Sequence, residues 1–157
     1  MTDHPRFFYD LRSPNAWLAA ETIVEDLGEV PEFVPVAVAR DLDDLDDVAR
    51  RAAARGVIAF RAPAVFPPGD TTFALLAATY AKQIGKVVAF SLAAFRQTFA
   101  AGRDLAERDT VLLAGAAAEI HPNALIKGAE LRGTAERLRV ATEEAIALGV
   151  IDGHGVR

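Results

Sequence analysis

Apolar residues follow two spacings along this chain, and the spacing changes once. Arg6 to Leu11 (RFFYDL) is short, aromatic and apolar, which predicts a strand. Pro14 to Leu27 then carries Trp17, Ala20, Val24 and Leu27 at helical spacing, which predicts a helix with those four on its buried face. Ser13 stands at its N-cap and Pro14 at the first helical position, where the missing proline N–H is no loss; Gly28 ends it. Glu32 to Ala39 (EFVPVAVA) reads as a second strand. Pro35 cannot donate to a ladder, so that strand belongs at an edge or bulge. Two strands joined by one helix make a βαβ unit with a right-handed crossover.

After that the helical period takes over. Asp41 to Arg55 has acid at its start and arginine at its end, matching a helix dipole. Gly56 to Asp70 is a loop punctuated by Pro63, Pro67, Pro68 and Gly69. Helices are expected over Thr72 to Ile84, through Val88, Leu92, Phe95 and Phe99, over Asp109 to Glu119, and over Leu131 to Leu148, with Leu138, Ala141, Ala145 and Leu148 on one side of the last. The predicted order is β-α-β followed by about five helices, with no repeat or linker. One domain over 1–157 is expected, with a βαβ unit in 1–40 and a helical insertion in 41–150. A two-stranded sheet is marginal, so this order calls for something more after the last helix.

Composition narrows the function classes. With 157 residues, 52% hydrophobic and 25% charged, the chain suits one domain with a real core. A net charge of -5 without a basic cluster makes nucleic acid an unsuitable partner. The apolar runs are too short to span a membrane, and the N-terminus lacks a signal-peptide layout, so a cytoplasmic protein with no membrane partner is expected. There is no cysteine, which excludes a disulfide scaffold, a thiolate metal site and disulfide exchange through the chain's own sulfur.

Ser13 is the first candidate for chemistry. By itself, serine before proline at a helix start reads as a cap. The same place offers unpaired N–H groups and a positive dipole end, which stabilise an anion, including a bound thiolate. No capping box forms, because Ala16 stands where Glu or Gln would be needed. Trp17 reads as core, and Asp10 as either a buried acid or an ordinary strand-end residue. The run Asp41, Asp43, Asp44, Asp46, Asp47 fails the calcium-loop pattern, since its sixth position is Asp46 instead of Gly, and reads as a solvated helix start. His4, His121 and His154 lack ligand spacing, so no metal is expected. Gly149, Gly153 and Gly155 do not form a dinucleotide fingerprint, and no Gly-x-Ser-x-Gly elbow exists.

The run Phe8-Tyr9-Asp10-Leu11-Arg12-Ser13-Pro14-Asn15-Ala16-Trp17-Leu18 resembles the N-terminal motif of a DsbA-like thioredoxin-fold group, the one that includes 2-hydroxychromene-2-carboxylate isomerases and kappa-class glutathione transferases. In that group serine replaces the first cysteine of the redox members' Cys-x-x-Cys. Arg61-Ala62-Pro63-Ala64-Val65-Phe66-Pro67 is similar to the group's Pro-x-x-Phe-Pro loop. Phe90 to Asp104 and Thr142 to Val150 resemble two of its inserted helices. The resemblance runs from Phe7 to Val150.

This resemblance implies an α/β, thioredoxin-like fold with a βαβ start and a large helical insertion. It implies a homologue without redox cysteines that works as a thiol-dependent isomerase or transferase on an electrophilic small molecule. Ser13 would be the catalytic residue. Arg12, Pro14, Asn15, Trp17, Arg61 and Pro63 would hold glutathione or another low-molecular-weight thiol. A homodimer is expected. Relatives continue after Gly-Val into a hairpin whose cis-proline faces the serine; here Ile151-Asp152-Gly153-His154-Gly155-Val156-Arg157 follows instead, so the closing hairpin is expected to be absent or truncated. Asn15 and Ala16 also depart from the usual Tyr and Ser. These departures support an alternative: a non-catalytic thioredoxin-fold binding or dimerisation protein.

Overall fold

A computed structural model describes residues 4–39, 44–56 and 60–157. Strand β1 (Arg6–Tyr9) leads into helix α1 (Pro14–Leu27) and strand β2 (Glu32–Pro35). Helices α2 (Leu45–Ala54), α3 (Thr72–Gln83), α4 (Val87–Phe99), α5 (Arg108–Ala117), α6 (Pro122–Glu130) and α7 (Arg132–Ala147) come next, and strand β3 (His154–Val156) comes last. The sheet order is β2-β1-β3, with β1 parallel to β2 and antiparallel to β3.

The central place of β1 explains its composition. Phe7, Phe8 and Tyr9 are all fully buried. Phe7 and Tyr9 share one face with Phe33, Trp17, Phe95 and Phe99, at ring-centroid distances of 5.2 to 6.5 Å between neighbours. Phe8 faces the other way, into a smaller cluster with Val34, Val36, Val38, Ala145 and Val150. A strand buried on both faces carries no apolar–polar alternation. Pro35 ends β2 on the sheet's outer edge, where its missing N–H breaks no ladder bond to β1.

Four features differ from the sequence-based expectation. First, both early strands are shorter than expected. Beyond Pro35 the N–H of Val36 still reaches Tyr9 O, but those of Val38 and Ala39 turn to the Asp10 carboxylate and that of Ala37 to Thr142 Oγ1. Second, the buried face of α1 is formed by Ala16, Trp17, Ala20 and Ile23, whereas Val24 and Leu27 are 43% and 38% exposed; the helix rotates Ile23 inward and leaves its last turn clear of the core. In α7, likewise, Ala145 is buried and Leu148 is exposed. Third, α6 has no counterpart in the expected order. Fourth, the sequence assigns no strand after Val150, yet His154–Val156 forms a strand that pairs antiparallel with β1.

The caps follow local chemistry. Gly28 closes α1 at φ 72°, a left-handed position that glycine adopts without penalty, with its N–H on Val24 O. Asp44 caps α2 by accepting from Asp46 N at 2.8 Å, and Asp46 and Asp47 sit in the first turn, as the solvated-start reading expects. Asp41 and Asp43 lie outside the described residues. No helix among the described residues is long and apolar enough to cross a membrane.

Candidate functional site at the start of helix α1

Strand β1 delivers the chain to a three-residue turn, and Ser13 opens α1 in an extended conformation (φ -86°, ψ 117°). Its Oγ accepts from Ala16 N at 3.1 Å, its N–H donates to Asp10 O, and its carbonyl accepts from Trp17 N. Ser13 is therefore the N-cap that the sequence predicts, at the positive end of a 14-residue helix.

Asp10 organises this turn. It is fully buried, and its two oxygens receive five N–H donors. Oδ1 accepts from Arg12 N and Nε at 3.0 and 2.9 Å; Oδ2 accepts from Arg12 Nη2, Val38 N and Ala39 N at 2.7, 2.9 and 3.0 Å. Its backbone N–H donates to Gly153 O at 2.7 Å. Asp10 thus ties together the end of β1, the Ser13 turn and the exit of β2 through its carboxylate, and the lead-in to β3 through its backbone N–H. Hydrogen bonding to this carboxylate raises the Arg12 pKa above its ordinary value, against the opposing effect of partial burial. Of the two readings left open for Asp10, the buried acid is the observed one.

Access is the decisive property of the site. Ser13 is only 1% exposed. Gly153, at φ 97°, lies directly against it: a Cβ on Gly153 would stand 2.8 Å from both Ser13 Cβ and Oγ. Ser13 lines neither of the two described cavities. The Ser13 hydroxyl is thus covered from solvent, with Gly153 packed over it.

The other residues expected at the site are dispersed in role. Arg12 is half-buried and locked to Asp10 as a bidentate pair. Pro14 is buried in the first turn of α1, and Asn15 is next to it, partly buried. Trp17 is fully buried between Phe60 and Phe99, and its indole N–H donates to Glu21 Oε2, which Arg96 also holds. That position makes it core, as its spacing suggests. Arg61 is exposed and turned to the end of α4, with its N–H on Phe99 O and its side chain against Gly102. Pro63 is buried in the same loop.

Two features important to this geometry escape the sequence reading. Asp10 is open there to a buried-acid reading, but the Val38 and Ala39 donors that it gathers are not visible. Gly153 is visible only as one of three late glycines. Among the described residues, no group of three or more His, Asp or Glu side chains comes together in a way that could hold a metal ion. His121 instead caps α6, with Nδ1 accepting from Asn123 N at 3.1 Å.

No protein-family profile matches the sequence, and no curated protein matches it either. Solved structures do match in shape. One is 2-hydroxychromene-2-carboxylate isomerase, with a TM-score of 0.80 at 17% identity, covering 98% of this chain and 84% of that one. Another is a proposed protein disulfide isomerase from Nitrosomonas europaea, with a TM-score of 0.69 at 15% identity, covering 99% and 85%. The chain shares the fold of these structures, a thioredoxin-like arrangement with a βαβ start and a helical insertion.

Proposed function

We propose that this chain uses the thioredoxin scaffold as a binding protein and carries out no thiol chemistry at Ser13. The observation that carries this reading is the 1% exposure of Ser13 beneath Gly153. A helix N-terminus stabilises a thiolate only if the sulfur can approach it. The one basic side chain in the turn, Arg12, is also committed to Asp10. Calorimetric titration with glutathione, then with free cysteine, is expected to give no saturable heat; a saturable heat with either thiol would overturn the reading. The exposed apolar side chains of Val24, Leu27 and Val30 support a homodimer as the binding form. A monomer in sedimentation velocity at micromolar concentration would remove that part. A chain without cysteine suits a cytoplasmic setting, which fractionation of native cells tests.

A second reading is a thiol-dependent isomerase or transferase using glutathione or another small thiol. Two observations favour it: the likeness in shape to 2-hydroxychromene-2-carboxylate isomerase along 98% of the chain, and the placement of a hydroxyl N-cap directly after the central strand. In that reading the residues around Gly153 shift away and the α1 N-terminus lowers the thiol pKa. The Ser13 hydroxyl donates to the thiolate while still accepting from Ala16 N. The sulfur adds to an electrophilic double bond; it leaves again after rotation in an isomerase, or stays attached in a transferase. Thiol-dependent turnover that is abolished by Ser13→Ala would establish this reading, and turnover unchanged in that variant would exclude Ser13 from it.

A further inference from the structure

A groove of about 470 Å³ lies at the outer edge of β2, between the last turn of α3 and one face of α7. It runs along β2 from Glu32 to Pro35, takes Arg6 from β1, and includes no residue of the Asp10 to Ser13 turn on which both functional readings depend. Val34, Pro35, Val140 and Ala141 form an apolar floor. Its size and mostly apolar lining match those of small-ligand sites.

The charges on its rim are nearly all settled within the protein. Arg6 pairs with Glu144 and Lys82 with Glu32 at 2.9 Å, while Glu136, also on the rim, pairs with Arg139. Arg137 is the exception. Its Nη1 donates to the neutral Gln83 Oε1 at 3.1 Å, and it makes no ion pair among the described residues. The groove therefore combines an apolar floor with one positive charge that no described carboxylate neutralises.

We propose that this groove binds a small apolar carboxylic acid, its carboxylate on Arg137 and its hydrocarbon body along Val34, Pro35 and Val140. The guanidinium suits a carboxylate through paired N–H donors, and the floor selects against polar anions that would lose hydration without replacement. An inorganic anion lacks the apolar body, and a neutral apolar molecule lacks the partner for Arg137.

The test is an amide-resolved NMR titration of the whole chain with phenylbutyrate and with its neutral counterpart, phenylbutanol. Saturable shifts are expected at Val34, Lys82, Val140 and Ala141, with the acid binding about fivefold more tightly than the alcohol at low salt, as a solvent-accessible charge contact allows. Arg137→Gln should bring the acid down to the affinity of the alcohol and leave the alcohol's affinity unchanged. Val140→Trp fills the groove from an exposed position and should abolish binding of both while the spectrum stays dispersed. Equal affinity of the two probes for the unmodified protein, absence of saturable shifts in the groove, or shifts centred elsewhere would each overturn the proposal. So would an acid preference that survives Arg137→Gln, a variant that needs no repacking to fold.

Discussion

At the scale of single residues, buried polar groups do most of the specifying. Asp10 satisfies five donors with two oxygens while fully buried. Asp10→Ala would strand the Val38 and Ala39 N–H groups and leave Arg12 without its partner. The expected loss is about 2–4 kcal/mol, read as a lower urea midpoint; a loss below about 1 kcal/mol would mean that water or another acceptor takes over. Tyr9 makes a second case. It is fully buried, its OH and Ser91 Oγ lie 2.5 Å apart, and burial pushes the phenol well above its ordinary range although the Ser91 bond lowers it. The unfolded chain therefore ionises first, near the ordinary value of about 10, so above that pH stability falls as the unfolded state releases a proton the folded state keeps. Tyr9→Phe is expected to be less stable than the parent at pH 7, because Ser91 loses its partner. The deficit should shrink as pH rises from 10 to 11, by up to about 1.4 kcal/mol per unit. Parallel stability curves for the two proteins across that range would contradict the assignment.

At the scale of elements, the sequence is informative wherever an element is specified by its own residues. Helix α1 announces itself by Ser13, Pro14 and Gly28, and its observed limits, Pro14–Leu27, are those expected. Helix α6 does not. It is nine residues long and carries Gly128, which costs a helix about 1 kcal/mol relative to alanine. The reason for that glycine lies in another element: a Cβ there would stand 2.3 Å from the Tyr80 ring of α3. Gly128→Ala should thus destabilise despite the better helix propensity, by about 1–3 kcal/mol, the usual cost of overpacking. Thermal unfolding is the check, and a rise in midpoint would show that the α3–α6 contact is looser than the geometry implies. Strand β3 is hidden for a similar reason. Gly155 sits at its centre with Gly153 just before it, residues of low strand propensity, and it exists because β1 presents unpaired groups at its second edge. The closure over Ser13 is equally invisible locally, because Gly153 reaches it from the far end of the chain. The resemblance around Ser13 therefore points to the right fold, while the accessibility on which chemistry depends is set by a contact that no local motif encodes.

At the scale of the whole molecule, β3 decides whether β1 is a core strand or an edge. Arg6 N bonds Arg157 O, Arg157 N bonds Arg6 O, and Asp10 N bonds Gly153 O at 2.7 Å. These bonds pin both ends of the strand that carries Phe7, Phe8 and Tyr9. Val150, 1% exposed, closes the cluster around Phe8 just before this segment. Deleting the seven residues after Val150 would leave β1 with β2 alone, expose its outer N–H and C=O groups, and uncover Ser13. A two-stranded remnant is marginal, so the midpoint of thermal unfolding should fall by about 10 °C or more. Hydrogen exchange at Phe8 should be faster in the shortened chain than in the full one. The same variant separates the two functional readings. If Gly153 is what bars the α1 N-terminus, the shortened chain, held below its new midpoint, should gain a saturable response to glutathione that Ser13→Ala removes. If it gains none while remaining folded, then the turn itself has no affinity for a thiolate, and the binding-scaffold reading stands without any appeal to access.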